Sequence, residues 1–185
     1  NDKGAITVEQ VMTHTSGFPR APLGPPDWAD RDQRIERMAA WRCNWAPGTR
    51  FEYHPTSAHW VLAEVIERVD GKDYRASVRE RVIGPLGLRR LALGVAAEDQ
   101  GDIADLVASG TGPSPDELES VFGVREYDLG EVTPEALLMF NDPANRAVAV
   151  PGGGGTPTAA DMALLHQALL HHPGGLWDAD PLAGA

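Results

Sequence analysis

The stretch from residue 45 to residue 71, WAPGTRFEYHPTSAHWVLAEVIERVDG, constrains the fold more than any other part of the chain. Its Pro47-Gly48 pair is a turn signal. Residues 50–53 then alternate polar and aromatic side chains, which predicts a short, half-buried strand. The pattern therefore places Tyr53 at the end of an extended segment, on a bend.

A helix is predicted to follow this bend. Pro55 fits a first helical turn, where no backbone donor is needed, and Gly71 is a natural stop. From Ser57 onwards, apolar residues recur at helical spacing and predict a buried stripe: Val61, Leu62, Val65, Ile66 and Val69. A side chain at Tyr53 or His54 would then be held by a rigid element and could face a cleft.

The rest of the chain predicts short helices joined by turns, because it is rich in residues that interrupt regular structure (20 glycines and 15 prolines). Caps and helical spacing predict helices that begin near residues 6, 30, 73, 114, 133 and 158. Thr7 with Gln10, and Thr158 with Asp161, form capping-box patterns. Strand character is weak and centred on residues 91–95. The sequence thus predicts a mostly α-helical chain with a few short strands, forming a single region over residues 1–185.

Composition excludes several classes of partner. The 16 basic and 27 acidic residues give a net charge of −11, which argues against nucleic acid and against anionic membrane surfaces. No apolar run approaches the length of a membrane span. We therefore expect a soluble protein, whose compartment stays open, with cytoplasmic favoured over secreted. Cys43 is the only cysteine, so an internal disulfide is impossible and the redox compartment stays open.

Other chemistries are less well supported by the residue pattern. The glycine run at residues 152–155 lacks the Lys-Ser/Thr of a phosphate-binding loop, and predicts a close backbone approach instead. Cys43 could be a nucleophile with His54 or His59 as its base, but is more typical of a small buried thiol. The best candidates for metal ligands are four residues near the end of the sequence, which we call the tail cluster: His171, His172, Asp178 and Asp180. Neither a metal ion nor another cofactor is predicted.

Tyr53 allows two interpretations on its own. It can be an amphipathic aromatic residue that packs at the end of a strand. Alternatively, its phenol can transfer a proton, which requires a nearby cation to lower its pKa from about 10. The side chain alone does not decide between packing and catalysis.

A series of motifs resembles one family. Residues 10–18, QVMTHTSGF, resemble an LLTHTSGL signature, and residues 47–53, PGTRFEY, resemble a PGxxFxYSN segment. The later motifs NDPA, PGGGG and TAADMA occur at residues 141–144, 151–155 and 158–163 in the expected order. Together they resemble the serine β-lactamase and penicillin-binding-protein superfamily, in its class C and esterase-like branch. The resemblance covers nearly the whole chain.

The resemblance implies an α+β fold for the longer protein and an acyl-enzyme mechanism. In that family a serine of a Ser-x-x-Lys motif is acylated, and the lysine and a tyrosine assist proton transfer. Tyr53 occupies the tyrosine position. No serine here has a lysine three residues on, and neither lysine precedes a Thr-Gly pair. We therefore expect this chain to be a central fragment, with the nucleophile and the Lys-Thr-Gly or His-x-Gly strand outside residues 1–185.

One departure from the family pattern bears on the substrate. The asparagine expected two residues after Tyr53 is Pro55, so the substrate contact is expected to be lost or to move to His54, Thr56 or Ser57. Tyr-His is similar to what esterase-like members carry. The resemblance therefore implies a carboxylesterase-like serine hydrolase that acts on a small-molecule ester or amide. The alternatives are a true β-lactamase or DD-peptidase, and a non-catalytic helical binding or lid module.

Overall fold

The structure is a computed structural model, and it describes residues 2–126, 132–171 and 175–177. Most of its regular elements in these ranges are helices: α1 (Val8–Met12), α2 (Arg31–Ala40), α3 (Ser57–Asp70), α4 (Tyr74–Val78), α5 (Pro115–Phe122), α6 (Pro134–Leu138), α7 (Pro143–Val148) and α8 (Ala159–His171). A π-helical turn, Arg79–Ile83, continues α4. Strands β1 (Ala92–Leu93) and β2 (Gly155–Thr156) pair antiparallel, with Ala92 opposite Thr156. The prediction of a mostly helical chain with short strands is confirmed.

Four helices begin directly after the N-cap residues that the sequence predicts. Side-chain oxygens of Asp30, Asp73, Ser114 and Thr133 each accept a hydrogen bond from a backbone N–H of the first turn. Such bonds satisfy donors that have no partner inside a helix. At the other end of α3, Gly71 adopts a left-handed backbone (φ 67°), as the stop signal predicts.

The predicted strand at residues 50–53 is wrong. Residues 50–54 have no regular secondary structure. The Glu52 N–H instead donates to the His14 carbonyl (3.2 Å), which ties the segment to the end of α1 rather than to a sheet. Pro55 also lies outside α3, which begins two residues later with Thr56 as its N-cap. The alternating pattern was insufficient because a strand also needs a neighbouring strand to pair with.

The buried face of α3 differs from the predicted stripe. Its buried residues include Trp60, Glu64 and Glu67, whereas Val69 is 79% exposed. The two acids are buried because Arg31 of α2 contacts both carboxylates. The predicted stripe residues Val61, Leu62, Val65 and Ile66 are only partly buried.

The hydrophobic core lies mainly in the first half of the chain. It is dominated by aromatic residues, among them Phe18, Trp28, Trp41, Trp60 and Tyr74. The Tyr74 hydroxyl donates to the Ala149 and Val148 carbonyls, which joins this core to the second half. No helix in the described residues is both long and apolar enough to cross a membrane.

Two details of the second half depart from the predictions. Thr158 accepts from the Asp161 N–H, but the Asp161 carboxylate accepts from the Arg90 N–H, so only half of the capping box forms. Helix α7, capped by Asp142, was not predicted, although its motif was recognised.

Candidate active site

Tyr53 and His54 are neighbours in the chain and lie in opposite environments. The Tyr53 side chain is 54% exposed, whereas His54 has no exposed surface. The bend before α3 therefore directs one ring to solvent and the other into the protein. Of the two rings at this bend, only that of Tyr53 is exposed, and its facing a substrate cleft stays a prediction.

The His54 imidazole is held by backbone groups at both nitrogens. The Phe18 N–H donates to Nε2 (3.1 Å), so Nδ1 carries the proton and donates to the Glu52 carbonyl. The Ser57 hydroxyl donates to the Phe18 carbonyl (2.8 Å). Burial lowers the pKa of His54, which keeps the ring neutral. We call Phe18, His54 and Ser57 the buried anchor. Its polar atoms contact backbone, which favours a structural role for His54 and Ser57.

Thr56 differs from its neighbours in the bend. It is half-buried and forms the N-cap of α3, but its hydroxyl makes no capping hydrogen bond. Of the three residues predicted to bind substrate, Thr56 is therefore the one whose side chain is not committed to a backbone contact. Its predicted role is still a prediction.

Tyr53 belongs to a group of rings at the surface. The His14 ring lies edge-on to the Tyr53 ring, with centroids 4.7 Å apart and planes at 66°. The His59 ring lies 6.2 Å from His14, and the Phe51 ring lies 6.4 Å from it. We call His14, Phe51, Tyr53 and His59 the ring cluster. His14 is its centre, because each of the other three rings contacts it.

His14 is held in an unusual backbone conformation. Its φ is 57°, in the left-handed region that few residues other than glycine adopt. Its N–H donates to the Val11 carbonyl at the end of α1, and its Nδ1 accepts from the His54 N–H (3.3 Å). Burial and the neighbouring His59 lower the pKa of His14. The neutral ring therefore carries its proton on Nε2.

The glycine-rich loop forms the edge of the site beside His59. The His59 Nδ1 donates to the Pro55 carbonyl (2.8 Å). A Cβ at Gly152 would lie 2.8 Å from His59 Cγ, and one at Gly153 would lie 3.1 Å from Phe140 Cζ. Both distances are closer than ordinary carbon contacts. The predicted close backbone approach is confirmed, with the His59 ring as one of the surfaces approached.

Two cavities flank this loop. An apolar groove of about 450 Å³ is lined by His59, Ile66, Leu93 and the loop. On the other side, a more polar cavity of about 560 Å³ is lined by Arg89, Arg90 and Arg146. The Arg90 and Arg146 guanidinium groups pair with Asp102 and Asp105. The loop therefore separates a groove suited to apolar groups from a cavity whose charges are largely balanced.

Neither lysine of the chain lies beside Tyr53. Lys3 Nζ donates to the Met38 and Ala39 carbonyls at the end of α2 (both 2.7 Å), and Lys72 pairs with Glu80. Neither lysine therefore supplies a cation next to the Tyr53 phenol.

The structure does not support the two alternative chemistries, a Cys43 nucleophile and a metal site. Cys43 is half-buried and its Sγ lies 3.8 Å from the Ser16 carbonyl, while both His54 nitrogens contact other groups. Among the described residues, no group of three or more potential metal ligands was found. Three members of the tail cluster, His172, Asp178 and Asp180, lie outside the described residues.

His14 is the site residue that the residue pattern did not single out. It was placed at the end of the first helix and within the THTSG motif, with no role of its own. The signal was the residue type, since histidine tolerates a left-handed backbone better than most residues other than glycine. Only the tertiary contact with Tyr53 reveals its place in the site.

Comparison with known proteins identifies the protein family to which this chain belongs. The chain matches the family model described as Beta-lactamase over residues 1–180. Comparison with curated proteins gave no match. The chain therefore belongs to the beta-lactamase family, as the motif resemblance implied.

Solved structures agree with this assignment. A penicillin-binding protein homolog from Caulobacter crescentus is 29% identical, with a TM-score of 0.65 over 92% of this chain and 44% of that one. A family VIII carboxylesterase is 26% identical, with a TM-score of 0.68 over 90% of this chain and 43% of that one. EstA from Arthrobacter nitroguajacolicus Rue61a is 22% identical and has a TM-score of 0.67, over 90% and 45%, which supports the fold alone. The chain thus spans less than half the length of these relatives, as the mostly helical part of an α+β fold.

Proposed function

We propose that the full-length protein is a serine hydrolase that cleaves small-molecule esters through an acyl-enzyme, with Tyr53 as the proton-transferring residue. The observation that carries this proposal is the presentation of the Tyr53 phenol. Its ring is half exposed at the motif position of the family's tyrosine, and it rests on a bend that the buried anchor holds from beneath. Family membership makes a hydrolase the expected class of enzyme.

The proposed reaction begins with a serine that lies outside residues 1–185. Its hydroxyl oxygen attacks the ester carbonyl while its proton passes to the Tyr53 phenolate. Tyr53 then returns the proton to the departing alcohol oxygen as the ester bond breaks. In the second half, water loses a proton to Tyr53, attacks the acyl-enzyme and releases the acid. Tyr53 passes the proton taken from water to the serine oxygen as the acid departs, which restores the serine hydroxyl and the Tyr53 phenolate, so the cycle balances.

The cation that this reaction needs is also proposed to come from outside the chain. Lys3 and Lys72 are engaged elsewhere, which supports a lysine from the family's Ser-x-x-Lys motif as the group that favours the phenolate. A polypeptide of only these 185 residues should then show no turnover of p-nitrophenyl esters or nitrocefin. Turnover by such a polypeptide, free of contaminants, would place the nucleophile within it.

Esters are the proposed substrates for two reasons. The Tyr-His-Pro sequence replaces the Tyr-x-Asn pattern, and one of the matched structures is a carboxylesterase 26% identical to this chain. We propose that Thr56, whose hydroxyl makes no capping bond, takes over the lost substrate contact, while His54 and Ser57 hold the bend. Comparison of kcat/KM on short acyl esters and cephalosporins tests the substrate class, and a preference for cephalosporins would instead support a β-lactamase or DD-peptidase.

Replacement of Tyr53 by phenylalanine in the full-length enzyme tests the central role. The change removes only a hydroxyl, so kcat should fall by about 10²–10⁴ with the fold intact. Tyr74→Phe is a matched control, because the Tyr74 hydroxyl bonds to the Ala149 carbonyl in the core. It should lower the free energy of unfolding by about 1 kcal/mol and leave kcat nearly unchanged.

The two variants separate the proposal from its alternatives. An unchanged kcat in folded Tyr53→Phe would show that another group transfers the proton. If the full-length wild-type protein turns over neither esters nor β-lactams, a non-catalytic helical binding or lid module becomes the better account.

A further inference from the structure

We propose that His14 is a positioning residue, whose ring sets the direction of the Tyr53 phenol. This inference rests on the proposed function, because it assigns a second residue to the same site. His14 is not proposed to exchange protons with the substrate. It acts through the ring of Tyr53, which must point the same way in every turnover.

The first argument is the contact itself. Among the rings of residues 2–126, 132–171 and 175–177, only that of His14 contacts the Tyr53 ring, at 4.7 Å between centroids. Tyr53 is 54% exposed and follows a segment without regular structure. A side chain in that situation has few neighbours to select its rotamer. The edge-on contact with His14 is therefore the feature that best accounts for a defined phenol direction.

The second argument is that His14 is itself rigidly held. Its Nδ1 accepts from the His54 N–H (3.3 Å), its carbonyl accepts from the Glu52 N–H (3.2 Å), and its N–H donates to the Val11 carbonyl (3.2 Å). The ring is thus fixed to α1 on one side and to the buried anchor on the other. A support for Tyr53 needs this rigidity, since a mobile ring would not restrict the phenol.

The third argument is the conformation of residue 14. A left-handed backbone at a residue with a side chain is unfavourable and persists where the surroundings enforce it. Here the conformation brings the ring under Tyr53 and at the same time aims Nδ1 at the His54 N–H. Asparagine would satisfy the backbone and the hydrogen bond equally well. Histidine differs from asparagine here by its aromatic ring, which is the part of the side chain that contacts Tyr53.

Two variants of the full-length enzyme separate the ring from the hydrogen bond. His14→Asn keeps an acceptor and tolerates the left-handed backbone but removes the ring. We expect kcat to fall about 10–100-fold while KM changes by less than about threefold, because a misdirected phenol lowers the productive fraction. His14→Phe keeps a ring and removes the acceptor. It should lower the thermal midpoint yet retain more of kcat than His14→Asn does.

A double variant provides a readout that a merely structural role would not change. In a Tyr53→Phe background there is no phenol to direct, so His14→Asn should produce no further loss of kcat. Multiplication of the two losses would overturn the proposal, as would an unchanged kcat in His14→Asn or equal kcat losses in the Asn and Phe variants. The proposed function fails in a different way, through an unchanged kcat in Tyr53→Phe alone. The two failures are therefore distinguishable.

Discussion

The buried anchor and the ring cluster are adjacent in sequence and opposite in character. In the anchor, His54 and Ser57 are fully enclosed and their side-chain polar atoms bond to backbone. In the cluster, Phe51 and Tyr53 are 68% and 54% exposed. Tyr53 and His54 are consecutive residues, yet the His54 ring is buried among backbone groups and the Tyr53 ring is exposed to solvent. Changes in the anchor should therefore affect stability first, and changes to Tyr53 should affect turnover first.

His14 connects the two regions. Its Nδ1 receives the His54 N–H from the anchor, and its ring contacts Tyr53 in the cluster. This arrangement places a histidine with a left-handed backbone beside an exposed ring. The comparison shows that a fully buried ring and a half-exposed ring can be neighbours in the chain, with His14 in contact with both residues.

The largest effect on stability is expected from His54→Phe in the full-length protein. The change keeps a ring but leaves the Phe18 N–H and the Glu52 carbonyl without their partner. Each polar group left without a partner costs about 1–3 kcal/mol, so the loss of both should lower the free energy of unfolding by about 2–6 kcal/mol. Denaturant unfolding measures the change. His166→Phe is the control, since His166 is exposed and bonds only within α8, and should change stability by less than about 0.5 kcal/mol.

A smaller effect is expected from Gly152→Ala, at the edge of the ring cluster. Gly152 has a φ of 86°, and a Cβ there would lie 2.8 Å from His59 Cγ. Gly71→Ala is the matched control, because φ is 67° and nothing lies within 4 Å of its Cβ. Backbone strain alone should lower stability by about 1–2 kcal/mol in both variants, and the clash should cost Gly152→Ala about 1 kcal/mol more. Equal thermal midpoints in the two variants would show that the His59 ring moves aside freely.

The smallest effect is expected from pH. Burial lowers the pKa of both His54 and His14 in the folded protein, so the unfolded chain binds more protons just below its histidine pKa of about 6.5. The stability that these neutral rings contribute is present above pH 6.5 and is lost as pH falls towards the folded pKa values. Each ring can remove at most about 1.4 kcal/mol per pH unit in that window. Thermal melts at pH 7.5 and 5.5 measure it, and the difference should shrink in His54→Phe. An unchanged pH dependence in that variant would assign the effect to other groups.

Local signals in the chain predicted much of the secondary structure. Asp30, Ser114 and Thr133 cap the helices that were expected to begin there, and Gly71 ends α3. These features succeed because a cap or a left-handed stop depends on interactions within a few residues. Element pairing was less predictable. The strand expected at residues 50–53 is absent, and β2 forms at residues that were expected to be loop, because a strand depends on a partner distant in sequence.

The candidate site was predictable in part. Tyr53 was recognised from its motif and from its place before a helix. The contrasting burial of its neighbour His54 was not, and neither was the contact with His14, 39 residues earlier in the chain. Sequence reasoning treated His54, Thr56 and Ser57 alike, since all three follow Tyr53. Their environments differ because the Phe18 backbone lies against two of them and not the third.

The sequence by itself determined the family of this protein, the helix boundaries set by caps and glycines, and the position of the tyrosine. Those properties are carried by residue types and by short spacings along the chain. Only the tertiary structure decided which face of α3 is buried, which ring beside the bend is exposed, and which histidine ring contacts Tyr53. Each of these depends on a partner many residues away: Arg31 against Glu64, Phe18 against His54, and His14 against Tyr53. The physical reason is that burial and hydrogen bonding are satisfied by whatever the folded chain brings near, and a local pattern of residues does not contain that information.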